Sequence, residues 1–382
     1  MELKNYPSSA DLEKCVNIRL RNSYDVDAGG KALFLKNSEP FFVYLDVDDK
    51  IENQYKKITL VEKNIEWECS QGKFEIINSD RTFKWLPSIS SETAKITAKY
   101  TVKYTAFPAK LLKGDLSVSM EKSIDVISPI SSKYLINGKI RGFNVGEYVD
   151  LFNKEDLEKY KISEGWAYKY PDAYKIPENF YKIDKNNKDL FITEHYQIAD
   201  IILDRSWFTL GFPQYLAIDF KLMDKLEKLQ KMMNAEGFNI EKFDIIYGFR
   251  PPSYNLGSID NDGDKALKVP LSMHQYGKGL DFIIDNDKDM VIDDLNKDGK
   301  TDMQDPAVII HYVNIIDRDE REKEGLGMLG GAGLYPHHDF WQRPKQSPYI
   351  HMDTRGFCDD SGKLIRWPKK WEDNSPIRWS KI

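Results

Sequence analysis

Two short segments carry the residue types that bind a catalytic metal: S-M-H-Q-Y-G-K-G-L-D, from Ser272 to Asp281, and, about seventy residues later, Y-I-H-M-D, from Tyr349 to Asp353. In the second, period-two alternation puts Tyr349, His351 and Asp353 on one face of a strand and turns Ile350 and Met352 the other way. In the first, Asp281 opens an otherwise apolar strand, G-L-D-F-I-I, where a carboxylate is costly to bury unless it is paired or metal-bound. His274, Asp281 and His351 thus offer two imidazoles and one carboxylate with a fourth position left to water, the open coordination of catalytic zinc. Histidines satisfied by ordinary structural hydrogen bonds fit the same spacing, so spacing alone leaves both readings standing.

A second cluster has the chemistry of a hard cation. D-L-N-K-D-G-K-T-D-M-Q-D, from Asp294 to Asp305, puts oxygen ligands at loop positions 1, 3, 5, 9 and 12 with Gly299 at position 6, the spacing of an EF-hand or dockerin-type calcium loop. The candidate ligands are Asp294, Asn296, Asp298, Lys300, Asp302 and Asp305, the last standing where a bidentate Glu is usual. Just upstream, Asp285, Asp287, Asp289 and Asp293 form an overlapping half-loop, and Asn261, Asp262, Gly263 and Asp264 a weaker third candidate. Residues 285 to 305 hold eight Asp and three Lys, so this stretch supplies -5 of the formal -6 of the chain. That many carboxylates repel one another unless a cation, here structural calcium, or free solvation relieves them.

The elements that must position these groups fall into two classes. From about residue 14 to 128 the chain reads as short β-branched or alternating runs, including CVNIRLRN, FFVYLDV, TFKWL, AKITAKYTVKYTA and LSVSMEKSIDVI, separated by turn clusters. Seven or eight strands at this spacing predict an N-terminal all-β sandwich of immunoglobulin-like type, without a catalytic cluster. Residues 129–185 are rich in Tyr, Lys, Pro and Gly and read as a linker wrapping onto the next domain, with a short helix around Lys154 to Tyr160. Residues 186–382 mix an amphipathic helix, Phe220 to Glu236, with the strands FDIIYGF, GLDFII and SPYIHMD, a Pro-rich turn, the helix PAVIIHYVNII and a Gly-rich turn. This pattern predicts an α+β domain, with 285–305 as a calcium-binding insertion and site residues at loops and strand ends.

Outside the acidic stretch the charge is near neutral, which argues against an electrostatic nucleic-acid binder. Cys15, Cys69 and Cys358 are widely spaced and form neither a C-x-x-C pair nor a disulfide framework. No apolar run reaches the length of a membrane span, and the opening MELKNYPSSA lacks the basic and apolar regions of a signal peptide. The chain is therefore either cytoplasmic or a mature form whose export signal has been removed. Calcium loops ending in Asp suit the millimolar calcium outside the cytoplasm, so export to the periplasm or cell envelope is the expectation.

Residues 186–382 also resemble the zinc D-alanyl-D-alanine carboxypeptidases and related peptidoglycan peptidases, to which the Hedgehog signalling domain is a structural cousin. The family pattern is S-x-H-x-x-G-x-A-x-D, a late H-x-D strand and an upstream Arg in a G-Y-R-type turn. Here those positions are Ser272, His274, Gly277, Asp281, His351, Asp353 and, in Y-G-F-R-P-P-S-Y-N, Arg250. Gly279 replaces the usual Ala, and Pro348 stands three before the second His, where the dipeptidase branch carries a catalytic Glu. The resemblance implies metal-assisted hydrolysis of a peptidoglycan stem peptide, as carboxypeptidase or endopeptidase: zinc polarises the scissile carbonyl and lowers the pKa of water, and Arg250 holds the substrate. For the general base, Asp353 shares a strand face with His351, although it could equally orient the imidazole from behind. His338, in Y-P-H-H-D-F, is a further candidate or simply caps a loop, while His195 and His311 read as structural. The Arg250 fork suits a substrate carboxylate or a developing oxyanion. A rival reading remains: an inactive protein whose metal pocket binds wall peptide or a partner, with attachment through the N-terminal domain.

Overall fold

The computed structural model describes residues 9–22, 32–35, 40–50, 58–77, 81–87, 93–106, 116–162, 169–202, 211–261, 269–322, 327–336 and 347–367. His338 and the Asp262, Gly263 and Asp264 of the third acidic candidate lie outside these residues. The chain divides into two compact units, Met1–Ile130 and Ser131–Ile382.

In the first unit the short helix α1 (Ser9–Glu13) precedes eight strands: β1 (Val16–Asn22), β2 (Leu33–Phe34), β3 (Phe41–Asp49), β4 (Ile58–Cys69), β5 (Lys73–Ile77), β6 (Thr82–Leu86), β7 (Thr93–Ala106) and β8 (Leu116–Ile127). They form two four-stranded sheets, in the orders β1-β3-β6-β5 and β2-β8-β7-β4. The pairs are antiparallel except β2 with β8. Alternation decides which side chains go inward: Ile18, Leu20, Val43, Leu45, Phe83 and Trp85 of one sheet and Ile96, Tyr100, Val102, Val118 and Val126 of the other join a single buried cluster. Tyr100 and Tyr104, at the margin of this core, both donate their hydroxyls to Asp49 Oδ2, at 3.1 and 2.6 Å, which satisfies phenols that burial would otherwise leave without partners.

The second unit begins at Ser131, so residues 131–185 belong to it. Ile130–Ser131 (β9) marks the boundary. The hairpin of β10 (Lys139–Ile140) and β11 (Phe143–Asn144) and helix α2 (Lys154–Tyr160) follow, and β12 (Asn179–Ile183) pairs with β13 (Gln214–Leu216). Val145 accepts from Ser253 N at 2.9 Å, and the buried Tyr148 hydroxyl donates to the Gln275 carbonyl at 2.8 Å, so this segment is tied to the turn that carries His274. A Cβ on Gly146, at φ +87°, would come within 2.2 Å of Ser253 N; only glycine permits that approach.

The centre of this unit is a five-stranded sheet, in the order β14 (Asp244–Tyr247), β15 (Gly279–Ile283), β17 (Tyr349–Asp353), β16 (Ala332–Tyr335) and β18 (Arg366–Trp367). Between the earlier strands lie α3 (Ile198–Ile201), α4 (Phe220–Ala235) and α5 (Pro252–Asn261); α6 (Gln304–Arg321) precedes β16. The apolar stripe of α4, with Leu222, Met223, Leu226, Leu229 and Met233, is buried, and Asp219 caps its N-terminus by accepting from Lys221 N. Helix α6 packs on α4, β16 and β17. Leu280, Phe282, Ile350 and Met352 are buried; Asp281 and His351 alternate with them and point from the opposite face. Among the described residues no helix is long and apolar enough to cross a membrane.

Candidate metal centre

Strands β15 and β17 are antiparallel, and their register sets Asp281 directly opposite His351. Directly opposed side chains on one sheet face lie within contact reach. The third member comes from a single 3-10 turn, Met273–Tyr276, that ends at Gly277 with φ +68°. A Cβ at Gly277 would sit 2.5 Å from the Ala217 carbonyl oxygen, so this turn needs glycine both for its φ and for its neighbour. Arg250 N donates to the His274 carbonyl at 3.2 Å and Asp219 N to the Gly277 carbonyl at 2.9 Å, which pins the turn at both ends.

The three side chains converge. His274 Nε2 is 3.2 Å from Asp281 Oδ1 and 3.1 Å from His351 Nδ1, and His351 Nδ1 is 2.7 Å from Asp281 Oδ1. These donors fall within 4.8 Å of one another, all are buried, and the group could hold a metal ion. The outer nitrogens fix the rings: His274 Nδ1 is 2.7 Å from the Gly248 carbonyl, and His351 Nε2 is 3.2 Å from Asp353 Oδ2. Burial, reinforced by the Arg250 charge, lowers the His274 pKa to about 4, so its imidazole is neutral and carries a lone pair at neutral pH. Burial opposes ionisation of Asp281, but His274 and His351 outweigh it and hold the carboxyl far below its usual range. His351 is pulled the other way: against burial, the Asp281 and Asp353 carboxylates raise it. Two carboxylates around one imidazole thus favour positive charge at this point.

Asp353 sits on the Nε2 side of His351, across the ring from Asp281. Its carboxylate is fully buried, lies on the far nitrogen of His351, and accepts from Gly331 N at 2.7 Å and from Arg355 Nε and Nη2 at 3.0 and 2.5 Å. Shared strand face puts it beside His351, and its oxygens are engaged by His351, Gly331 N and Arg355. Asp353→Asn, which keeps the shape and removes the charge, is expected to weaken metal affinity about 10- to 100-fold. Competition with a chromophoric zinc chelator measures this, and unchanged affinity would show that the carboxylate is incidental.

The donor group opens into a cavity of about 540 Å³ whose walls include Arg250, Ser272, Tyr335, Tyr349 and Trp367, and to which residues 154–174 contribute Tyr160, Lys161 and Tyr174. Among the described residues lining it, Asp281 is the one carboxylate. Arg250 Nη2 donates to Ser272 Oγ at 3.2 Å and its guanidinium lies over the Tyr247 ring, while its buried Nε has no hydrogen-bond partner. A guanidinium with an unspent donor is chemically suited to an anionic group. Tyr335, Trp367 and Arg355 carry no motif that marks them in the sequence. Tyr335 sits in a strand that reads as a Gly-rich turn, Trp367 in a two-residue strand, and Arg355 is marked only by lying two residues beyond Asp353. His195 pairs with Glu227, its Nδ1 2.7 Å from Oε2, and His311 packs edge-on against Tyr312; neither lines the cavity.

The acidic insertion is built as two copies of one turn. In the first, Asp289 N and Met290 N donate to the two oxygens of Asp285, Asp289 N also to Asp287, and Val291 N to Asp289. In the second, Asp298 N and Gly299 N donate to the two oxygens of Asp294, Asp298 N also to Asn296, and Lys300 N to Asp298. The fourth and sixth positions have positive φ in both copies: Lys288 and Met290, then Lys297 and Gly299. Asp285, Asp287 and Asp289 gather within 4.8 Å as a second group that could hold a metal ion. Three other predicted ligands are engaged locally. Asp293 accepts from Asn286, Asp302 from Gln304 N, and Asp305 is buried and takes the backbone N–H groups of Leu295, Asn296 and Asp302. Asp305 thereby seals the loop onto the start of α6 instead of facing outward.

No family model matches the chain, and neither a curated protein nor a solved structure matches it.

Proposed function

We propose that this chain is a zinc-dependent peptidase that cleaves stem peptides of bacterial peptidoglycan, with His274, Asp281 and His351 as the metal ligands. The observation that carries this reading is the convergence of three buried donors, two imidazole nitrogens and one carboxylate oxygen, at the wall of a cavity. That donor set fits zinc, which takes N and O ligands and in catalytic sites keeps one position open. Both imidazoles are fixed from behind, by a carbonyl and by a carboxylate, as ligand histidines characteristically are. When bound, zinc supplies Lewis acidity toward the scissile carbonyl and acidity to water. The rest falls to the protein: Arg250 and Ser272 seat the substrate carboxylate, and the aromatic walls of Tyr335, Tyr349 and Trp367 exclude water. The substrate class follows from the resemblance of Ser272 to Asp281 and of the late His351-x-Asp353 to the D-alanyl-D-alanine carboxypeptidases. Elemental analysis for zinc, together with a digest of purified peptidoglycan read by mass spectrometry, tests the proposal. A protein with stoichiometric zinc that releases no fragment would be an inactive wall-binding protein instead.

Calcium is proposed to act as a clamp on this site, because β15 carries Asp281 and runs within two residues of its end into Asp285. An ion held by Asp285, Asp287 and Asp289 would fix the strand end close to a zinc ligand. With zinc held constant, calcium at about 100 times its Kd should stabilise the protein by about 2.7 kcal/mol. Asp285→Ala should abolish that gain. Identical melting curves with calcium and with a calcium-selective chelator would remove the clamp and leave the zinc assignment untouched. Such a site suits an extracellular or periplasmic calcium concentration, in keeping with an exported protein.

A further inference from the structure

The cavity carries more positive charge in its wall than its own acids answer. Among the described residues lining it, the side chains that carry or can gain charge near neutral pH are Lys161, Arg250, Arg355, His274, His351 and Asp281. Asp281 and the two histidines form the donor group, and Arg355 is engaged by Asp353, its Nε 3.0 Å from Oδ1. Arg250 donates to the neutral Ser272 Oγ, and the Lys161 ammonium has no acidic partner among the described residues. Two cations are thus left for whatever enters. Arg250 takes one carboxylate in the reading above, which leaves Lys161 for a second anionic group.

The wall that presents Lys161 is anchored to the metal centre. Lys161 closes α2: Asn153 caps the other end by accepting from Glu155 N at 2.9 Å, Leu157 is buried, and Lys161 N and Ile162 N donate to the carbonyls of Glu158 and Leu157 at 3.2 and 2.9 Å. With φ +53° Lys161 is left-handed, at a helix end where glycine is the usual residue, so a lysine side chain is kept there against the backbone preference. Further along, Lys278 Nζ donates to the Asp172 and Ala173 carbonyls at 3.2 and 3.0 Å, and the Tyr174 ring, also in the cavity wall, meets Tyr276 edge-on with centroids 5.8 Å apart. Tyr276 and Lys278 flank Gly277, at the end of the turn that carries His274.

Resting on the peptidase reading above for the identity of the peptide, we infer that Lys161 is a specificity-determining residue that binds a second carboxylate of the substrate, so that the site takes an acidic stem peptide in preference to its amidated counterpart. Stem peptides bear carboxyl groups on their second and third residues, each of which exists as the free acid or as the amide. An ammonium forms a charge-assisted hydrogen bond with the acid and loses the charge pairing with the amide. The pair acts in substrate binding and approach, so its effect falls on KM rather than on kcat. Because Lys161 is exposed, the preference is about fivefold at most and weakens as salt is added.

The test gives the full-length zinc protein three synthetic stem pentapeptides: one with both carboxylates free, one amidated on the second residue and one amidated on the third. At low salt the parent should show a KM about fivefold lower for the free acid than for one of the amides, with kcat alike, and which amide loses identifies the carboxylate that Lys161 meets. Lys161→Met should abolish the preference and Lys161→Arg keep it. Lys154→Met, which removes the same charge from the same helix at a residue outside the cavity wall, should keep it too. Equal KM for all three peptides with the parent, or an undiminished preference in Lys161→Met, would overturn the inference and leave the peptidase reading standing. If the parent cleaves none of them, calorimetry with the intact pentapeptides reads the same preference: its presence there upholds the role of Lys161 while the peptidase reading falls, and no binding of any pentapeptide overturns both.

Discussion

Alanine in place of His351 is expected to leave a folded protein with almost no zinc and a stem-peptide cleavage rate at least about 10³-fold lower, because the metal is asked for several kcal/mol of transition-state stabilisation and each 1.4 kcal/mol is a factor of ten. His274→Ala and Asp281→Ala should behave alike. Each side chain supplies one of three donors that lie within 4.8 Å of one another, and two remaining donors hold zinc too weakly to compete with buffer or chelator. The three variants should differ in what remains. His351→Ala also releases Asp353, which stays paired with Arg355, whereas Asp281→Ala leaves His274 Nε2 facing His351 Nδ1 at 3.1 Å with no carboxylate between them. The check is zinc per chain after dialysis against a mild chelator, followed by the cleavage rate with zinc restored. Full zinc in Asp281→Ala after that dialysis would mean that the ligand set is wrong.

How much of this was legible before the structure depends on what each residue advertises. Strands that bury alternate side chains announce themselves: in Thr93–Ala106 the buried Ala94, Ile96, Ala98, Tyr100, Val102 and Tyr104 are every second residue, and the eight described strands of the first unit coincide with short alternating or β-branched runs. The ligand residues were legible as types and spacings, but their meeting was not. It depends on the register that sets Asp281 against His351, and a one-residue slip would turn either away from the site. Strand β16 was hidden because Gly330, Gly331 and Gly333 look like a turn. They are glycines for lack of room: a Cβ would lie 1.7 Å from the Asp353 carbonyl oxygen, 2.9 Å from Arg355 Nε and 2.0 Å from Trp367 Nε1, respectively. Helix α5 is hidden in the same way, because Pro251 and Pro252 signal a turn, though proline in the first turn of a helix gives up an N–H that would have no partner in any case. The role of Asp353 was open for a related reason. Periodicity tells which face a side chain leaves from, and only the three-dimensional positions of Gly331 and Arg355 show that its oxygens are already taken.

Beneath the sheet lies the interaction whose loss should cost the most stability. Asp317 of α6 is fully buried and accepts from Lys225 Nζ of α4 at 2.6 Å, from Arg366 Nη2 of β18 at 2.6 Å and from Gly330 N at 3.2 Å. Lys225 Nζ also donates to the Asp353 carbonyl at 3.1 Å, so the same carboxylate that neutralises two buried cations steadies the strand end behind His351. Replacing Asp317 by Ala strands both charges in an interior where neither has another acidic partner among the contacts described, and removal of one member of a buried ionic group costs about 3–5 kcal/mol. For a unit of this size, each kcal/mol lowers the melting temperature by about 2–4 °C, so a drop of about 6–20 °C is expected. The pH dependence gives a second check. Burial lowers the Lys225 pKa, with Asp317 opposing, so at alkaline pH below the ordinary lysine value the unfolded chain binds more protons than the folded one, and stability rises with pH there. Without Asp317 the folded-state pKa should fall further, so that window widens toward neutrality and the variant recovers part of its loss as the pH is raised. Urea melts of Asp317→Ala at neutral and alkaline pH measure both effects. A variant as stable as the parent at neutral pH, or one that loses further stability as the pH rises, would mean that Asp317 is not what keeps Lys225 and Arg366 tolerable in the core.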